Sequence, residues 1–131
     1  MSDKTLAQKL LIKPGQRVLI SNPPAGYDKH AGEIPAGVTI THEVMHEPQA
    51  PVDVIQAFIK SQKELEAQLP VLKSIMGPKT ILWITYYKGT ASVKTDINRD
   101  TIFAYAKTCG LQGVAIIAVD DDWSAMRLKL L

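Results

Sequence analysis

The chain has 131 residues, of which 46% are apolar and 21% are charged, and its formal net charge is +2. This length supplies one domain with a buried core and is too short for two, so residues 1–131 are predicted to form a single domain. Runs of lysine, aromatic–basic clusters and long apolar stretches are absent, so neither a nucleic acid nor a membrane is an expected partner. The lack of a secretory signal and the single cysteine, Cys109, predict a cytoplasmic protein.

Three short aliphatic or β-branched runs in the first half of the chain predict strands, at residues 17–21, 38–41 and 52–59. The loop 22–27 after the first of them contains two prolines and continues neither as a strand nor directly as a helix. The connection between the second and third runs is about ten residues long, which is short for a crossover between parallel strands. Whether the run 38–41 joins the sheet is therefore left open.

The second half of the chain alternates helices and strands. Ser61 and Glu64 have the spacing of a capping box at a helix start, and Pro70 inside that helix predicts a bend. A second helix is predicted to start at a cap supplied by Asp96 or Asn98. The remaining strands are predicted at residues 80–87, 113–119 and 124–130.

Strands separated by helices favour a mostly parallel sheet with right-handed crossovers. The last two strands are joined by a tight turn at residues 120–122, which requires the final strand to be antiparallel. The sequence therefore predicts an α/β protein with a three-layer, Rossmann-like sheet of about six strands, in the order 2-1-3-4-6-5.

The segment KPGQRVL before and within the first strand, together with an antiparallel last strand, resembles the class I methyltransferases. More closely, the chain resembles a bacterial family of short Rossmann-like proteins, a domain of unknown function. This second resemblance covers most of the chain and is carried by the segments LAQKLLIKPGQRVLISNPPAGY, APVDVI, ELEAQLPVLK, TDI and AVDDDWSAMRLKL. It implies the fold of a trimmed methyltransferase and implies no reaction.

Ligand sites in such sheets lie at the carboxyl ends of the strands, and three predicted loops meet there. The loop after the central strand offers Lys88 and Lys94, which suit an anionic group such as a phosphate or a carboxylate. Asp96, at the end of this loop, is predicted either to orient Lys94 or to cap the next helix. The alternative is that the loop is simply solvated and has no ligand-binding role. The turn at 120–124 offers three carboxylates and Trp123, which packs over a ligand or covers the end of the sheet. The predicted ligand-binding residues are Asn22, Tyr27, Glu43, Tyr87, Lys88, Lys94, Asp96, Asp120 and Trp123.

Two alternatives for function follow from the first loop. Cofactor loops of this fold are glycine-rich, whereas residues 22–27 contain only Gly26 and two prolines. The leading interpretation is therefore a non-catalytic or regulatory domain that binds a small anionic ligand or a protein partner and is compatible with a homodimer. No cofactor is expected in that case. The alternative is an S-adenosylmethionine-dependent methyltransferase, in which Glu43 stands at the position of a ribose-binding acid.

A third alternative comes from His42, Glu43 and His46, which form the H-E-x-x-H pattern of zinc hydrolases. The pattern works when both histidines lie on one face of a helix and the glutamate activates a metal-bound water. Here it lies between a strand and Pro48, and in an extended chain the two histidines would be about 13 Å apart. A zinc-dependent hydrolase is thus the least favoured interpretation, and no metal is expected.

Overall fold

The computed structural model describes residues 9–22, 36–41, 52–77, 79–88, 96–119 and 122–130. These residues form one six-stranded sheet and two helices. The strands are β1 (Arg17–Ser21), β2 (Thr39–Thr41), β3 (Val54–Phe58), β4 (Ile81–Tyr87), β5 (Leu111–Ala118) and β6 (Trp123–Leu130), and the helices are α1 (Gln62–Ser74) and α2 (Arg99–Thr108).

The sheet has the order β2-β1-β3-β4-β6-β5. Strands β2, β1, β3 and β4 are mutually parallel, and β6 is antiparallel to both of its neighbours. The predicted α/β fold and strand order are therefore confirmed. The run at 38–41 does join the sheet, because Thr39–Thr41 pairs in parallel with β1.

The predicted helix caps are confirmed, except that the Glu64 side chain accepts from a different backbone amide than a capping box requires. The Ser61 hydroxyl accepts a hydrogen bond from the Glu64 amide at 3.2 Å, as an N-cap should. The Glu64 carboxylate accepts from the amide of Lys60 at 2.9 Å, one residue before the cap itself. Asn98 is the residue that caps α2, in a reciprocal capping box with Thr101.

Both helices pack on one face of the sheet. Their buried positions recur at helical spacing (Leu65, Leu69 and Leu72 in α1, Ile102 and Ala106 in α2) and meet a layer of aliphatic strand residues. Alternate residues of each strand point to this face, among them Ile55, Ala57, Leu82 and Ile84. This aliphatic layer fixes the positions of the first turns of α1 and α2 beside the ends of β3 and β4.

Pro70 lies inside α1, where its ring nitrogen cannot donate to the carbonyl of Glu66 four residues earlier. The hydroxyl of Tyr105, in α2, donates to that Glu66 carbonyl at 3.3 Å. Pro70 therefore leaves the Glu66 carbonyl available to accept the hydrogen bond from Tyr105 that links α1 to α2.

The opposite face of the sheet is richer in aromatic and polar groups. Trp83 is buried there, and its indole N–H donates to the carbonyl of Leu10 at 2.9 Å, which holds the N-terminal segment against the sheet. The amide of buried Gln56 donates to the hydroxyl of buried Thr85 at 3.3 Å. Among the described helices, none is long and apolar enough to cross a membrane.

Candidate functional site

The strand order reverses between β1 and β3, because the chain leaves β1 toward β2 on one side and returns to β3 on the other. In open α/β sheets, ligands bind at such a switch point, outside the carboxyl ends of the strands. Here Asn22 follows β1, while Lys60 and Glu64 follow β3. We refer to the space between these two strand ends as the β1–β3 crevice.

A polar network spans the β1–β3 crevice. The side-chain amide of Asn22 lies 3.4 Å from both the Phe58 carbonyl and one oxygen of the Glu64 carboxylate, and it donates to each. The other oxygen of Glu64 accepts from the Lys60 amide at 2.9 Å. The carboxylate of Glu64 is thus held in a fixed orientation at the mouth of the crevice.

Asn22, the residue after β1, has a left-handed backbone conformation, with φ of 56°. Glycine and asparagine are the residues that adopt this conformation most readily. Asn22 therefore supplies, without a glycine, the sharp change of direction that ligand loops at strand ends require.

Asp96 also lies at the start of α1. Its carboxylate accepts a hydrogen bond at 2.8 Å from the backbone amide of Gln62, the first residue of that helix. The sequence predicts that Asp96 orients Lys94 or caps the following helix. Asn98 caps that helix, and Asp96 contacts the start of the preceding one, 34 positions away; Lys94 lies outside the described residues. A carboxylate at this end is also favoured by the helix dipole. Asn22 and Asp96 therefore converge on the first turn of α1.

Tyr87, Lys88 and Trp123 come together where β4 and β6 meet. The rings of Tyr87 and Trp123 are stacked with centroids 4.0 Å apart, and Phe58 meets Trp123 edge-on at 5.1 Å. The amide of Lys88 donates to the Asp122 carbonyl at 2.8 Å. Trp123 is only 5% exposed, so in this structure it covers the end of the sheet.

A cavity of about 350 Å³ opens between the end of β4 and the first turn of α2. Its polar groups come from Tyr86, Lys88, Asn98, Arg99, Asp100 and Ser124. Burial raises the pKa of the Tyr86 phenol, an effect that the nearby Arg99 guanidinium partly offsets and Asp100 reinforces. The Tyr86 hydroxyl is therefore a hydrogen-bond donor at neutral pH.

Three residues of this cavity, Tyr86, Asn98 and Arg99, are not among the predicted ligand-binding residues, although Tyr86 begins the stretch 86–96 that the sequence favours as a site. Tyr86 was part of an apolar run, and Asn98 was considered only as a cap. Their position at the carboxyl end of a central strand, or directly after its loop, is the signal that could have identified them.

Four of the predicted ligand-binding residues, Tyr27, Glu43, Lys94 and Asp120, lie outside the described residues. The same holds for the three residues of the H-E-x-x-H pattern, His42, Glu43 and His46. Within the described ranges, no group of three histidine, cysteine, aspartate or glutamate side chains is arranged to hold a metal ion.

Solved structures of the same fold include complexes with S-adenosylmethionine (SAM) or its demethylated product, S-adenosylhomocysteine (SAH). The DhpI–SAH complex has a TM-score of 0.62 at 11% identity and matches 96% of this chain and 82% of DhpI. A SAM-dependent methyltransferase from Thiobacillus denitrificans in complex with SAH has a TM-score of 0.57 at 11% identity and matches 100% of this chain and 92% of its own. LepI in complex with SAM has a TM-score of 0.52 at 18% identity, and the match covers 96% of this chain but only 39% of LepI.

At these identities the likeness shows a shared fold, that of a methyltransferase-like Rossmann protein. No protein-family model and no curated protein matches the sequence. The resemblance to a bacterial family of short Rossmann-like proteins therefore finds no support, whereas the resemblance to methyltransferases does.

The leading interpretation from sequence, a non-catalytic or regulatory domain without a cofactor, was wrong. The structural neighbours are SAM- or SAH-bound proteins and methyltransferases, and they favour the methyltransferase alternative instead. The error came from treating a glycine-poor first loop as excluding a cofactor, although Asn22 provides the left-handed turn.

Proposed function

We propose that this protein is a SAM-dependent methyltransferase. The observation that carries the proposal is the sheet order β2-β1-β3-β4-β6-β5, with its switch point between β1 and β3, in a fold that the chain has in common with SAM- and SAH-bound structures. The cofactor would supply an electrophilic methyl group on a sulfonium sulfur.

The side chains at the β1–β3 crevice fit the chemistry of this cofactor. SAM carries an ammonium, a carboxylate and ribose hydroxyls, so its site needs acceptors and donors together. The Glu64 carboxylate retains acceptor capacity beyond its bonds to Asn22 and Lys60, because an ionised carboxylate has about four lone-pair sites. Lys60 donates to this carboxylate through its backbone amide, and its exposed side chain is a second charged group of the segment that follows β3. We assign Asn22, Lys60 and Glu64 to cofactor binding.

We further assign the methyl acceptor to the cavity beside Lys88. This cavity opens at the same sheet edge as the crevice and is lined by both polar and apolar groups. Tyr86 and Asn98 supply neutral hydrogen-bonding groups, Lys88 supplies a positive charge, and the charge of Arg99 is paired with that of Asp100. The predicted preference for an anionic ligand is retained here as a property of the acceptor.

Calorimetric titration of the purified protein with SAH tests the cofactor proposal. SAH is expected to bind, whereas inorganic phosphate and ATP are not expected to compete with it. Glu64→Gln should weaken SAH binding at least tenfold, because charge-assisted hydrogen bonds contribute about 1.5–3 kcal/mol each.

Glu66→Gln is the matched control, since Glu66 is an exposed residue of the same helix whose side chain points away from the crevice network. Glu43→Ala in the same titration tests the predicted ribose-binding acid. Absence of any heat or thermal stabilisation with millimolar SAH would overturn the proposal.

A further inference from the structure

The two edges of the sheet differ in length and exposure. The edge strand β2 has three residues, whereas β5, at the other edge, has eight. The outer side of an edge strand presents backbone N–H and C=O groups that no neighbouring strand pairs. A long edge of this kind is a template for pairing with another strand.

Among the described residues, strand β5 lacks two features that usually protect an edge, namely charged side chains and proline. Leu111–Ala118 contains no charged residue and no proline, and residues 114–116 are all exposed. Val114 is 44% exposed and Ile116 is 45% exposed. A register irregularity falls between Gly113 and Ala115, but the residues from Ala115 to Ala118 pair with β6 in one continuous register.

A groove of about 510 Å³ runs beside this edge, between β5 and α2. Its apolar lining includes Phe103, Ile116 and Met126. Gly113 allows Phe103 to lie close to the strand, since a Cβ at this position would come within 2.9 Å of the Phe103 ring. Arg99 and Asp100, at the end of the groove, form an ion pair at 3.5 Å, so the charged groups of the groove cancel.

We propose that β5 is a homodimer interface, in which the strand pairs antiparallel with β5 of a second copy to form a continuous twelve-stranded sheet. A strand paired antiparallel with itself is two-fold symmetric, so one edge complements its own copy without any further adjustment. Because β5 carries no charge, self-pairing brings no like charges into opposition.

The two-fold symmetry of this pairing would also cover the apolar groove between β5 and α2. A two-fold axis perpendicular to the sheet reverses strand direction and keeps the same face of the sheet upward in both copies. The two α2 helices therefore lie on one side, and the two apolar grooves adjoin across the axis. The exposed side chain of Ile116, which pairs with Met126 and points to this side, would be covered by the partner. Backbone pairing and apolar burial thus occur at the same place.

Sedimentation velocity over a concentration series tests this interface. The wild-type chain, of 14.4 kDa, is expected to sediment as a species of twice that mass. Ile116→Lys and Val114→Lys should each weaken the dimer at least tenfold, because each variant buries two like charges, one from each copy, in an apolar interface. Val71→Lys is the matched control, since Val71 is also an exposed apolar residue, 40% accessible, but lies on α1.

Hydrogen exchange of the wild-type protein provides a second measurement that needs no variant. Amides of β5 on its outer side should exchange more slowly as protein concentration rises, while those of β2 should not change. A monomer at all concentrations, an open-ended assembly, or a dimer that Ile116→Lys leaves intact would each overturn the proposal.

Discussion

The carboxyl edge of the sheet has two ends of opposite character. At the β1–β3 crevice, Asn22 and Glu64 are held by hydrogen bonds of 2.9–3.4 Å and remain partly accessible. Where β4 and β6 meet, Phe58, Tyr87 and Trp123 close the sheet by aromatic packing. Polar contacts exchange readily for contacts with a ligand, whereas buried rings cannot be moved without losing packing. The first end is therefore suited to binding and the second to stability.

The largest effect is expected from Trp123→Ala, which tests whether the aromatic residues where β4 and β6 meet stabilise the fold. Removing a buried aromatic side chain should lower the free energy of unfolding by about 3–5 kcal/mol, measured by urea denaturation. Trp123→Phe should cost less because it retains ring contacts with Tyr87 and Phe58. SAH affinity of the folded fraction should change little. A loss of stability under about 1 kcal/mol would show that the aromatic end is not the stabilising one.

The second largest effect is expected at Asn22, where two substitutions separate the contribution of the backbone conformation from that of the side-chain hydrogen bonds. Asn22→Ala should cost about 2 kcal/mol of stability, because alanine is strained at a φ of 56° and the hydrogen bonds to Phe58 and Glu64 are lost. Asn22→Gly should cost about 1 kcal/mol, since glycine accepts the conformation and only the hydrogen bonds are lost. Equal losses in the two variants would contradict a role for the left-handed turn. Thermal and urea unfolding of both proteins give the comparison.

A smaller effect is expected at Asp96, which links the loop after β4 to the start of α1. Asp96→Ala should lower stability by about 1 kcal/mol, because the Gln62 amide loses its acceptor and the helix loses a favourable charge. Asp100→Ala is the matched control: Asp100 is also an acid in the first turn of a helix, but its side chain is 85% exposed. If the two variants lose the same stability, the contact from Asp96 to α1 contributes nothing specific.

The strands of the sheet were predicted well because short stretches of sequence are enough to identify most of them. Strands β3 and β4 are buried on both faces and consist mostly of apolar residues, so their runs stand out without any pattern of alternation. The tight turn between β5 and β6 requires antiparallel pairing wherever the strands lie. Strand β2 was uncertain because three half-exposed residues carry little local signal, and only its pairing with β1 identifies it.

The candidate site was less accessible to such reasoning. Asn22, Lys88, Asp96 and Trp123 were each predicted at loops of the carboxyl edge, but their contacts join distant parts of the chain. Asn22 meets Glu64 across 42 positions, and Asp96 meets Gln62 across 34. No periodicity encodes such pairs. The cavity residues Tyr86 and Arg99 were missed for the same reason, because α2 approaches β4 only in the folded chain.

The smallest effect is a pH dependence at Tyr86, which lies between the two ends on the helix-facing side of β4. Burial raises its pKa above the ordinary tyrosine value of 10.0, and Arg99 opposes that rise only in part. The folded protein therefore holds this proton more tightly than the unfolded chain does. The resulting stability is fully present below pH 10 and is lost as the pH rises through the folded-state pKa.

Tyr86→Phe removes that dependence, because phenylalanine has no proton to lose. The difference in unfolding free energy between wild type and Tyr86→Phe should be constant from pH 7 to about pH 9.5 and should then shift in favour of the variant. Absorbance at 295 nm, titrated for both proteins, identifies the phenol, which is needed because the pKa of Tyr105 is also raised by burial. A difference that stays constant beyond pH 10 would mean that Tyr86 ionises as readily in the folded protein as in the unfolded chain. In that case its hydroxyl would be open to solvent, and the cavity beside Lys88 would lack the sheltered donor assigned to the methyl acceptor.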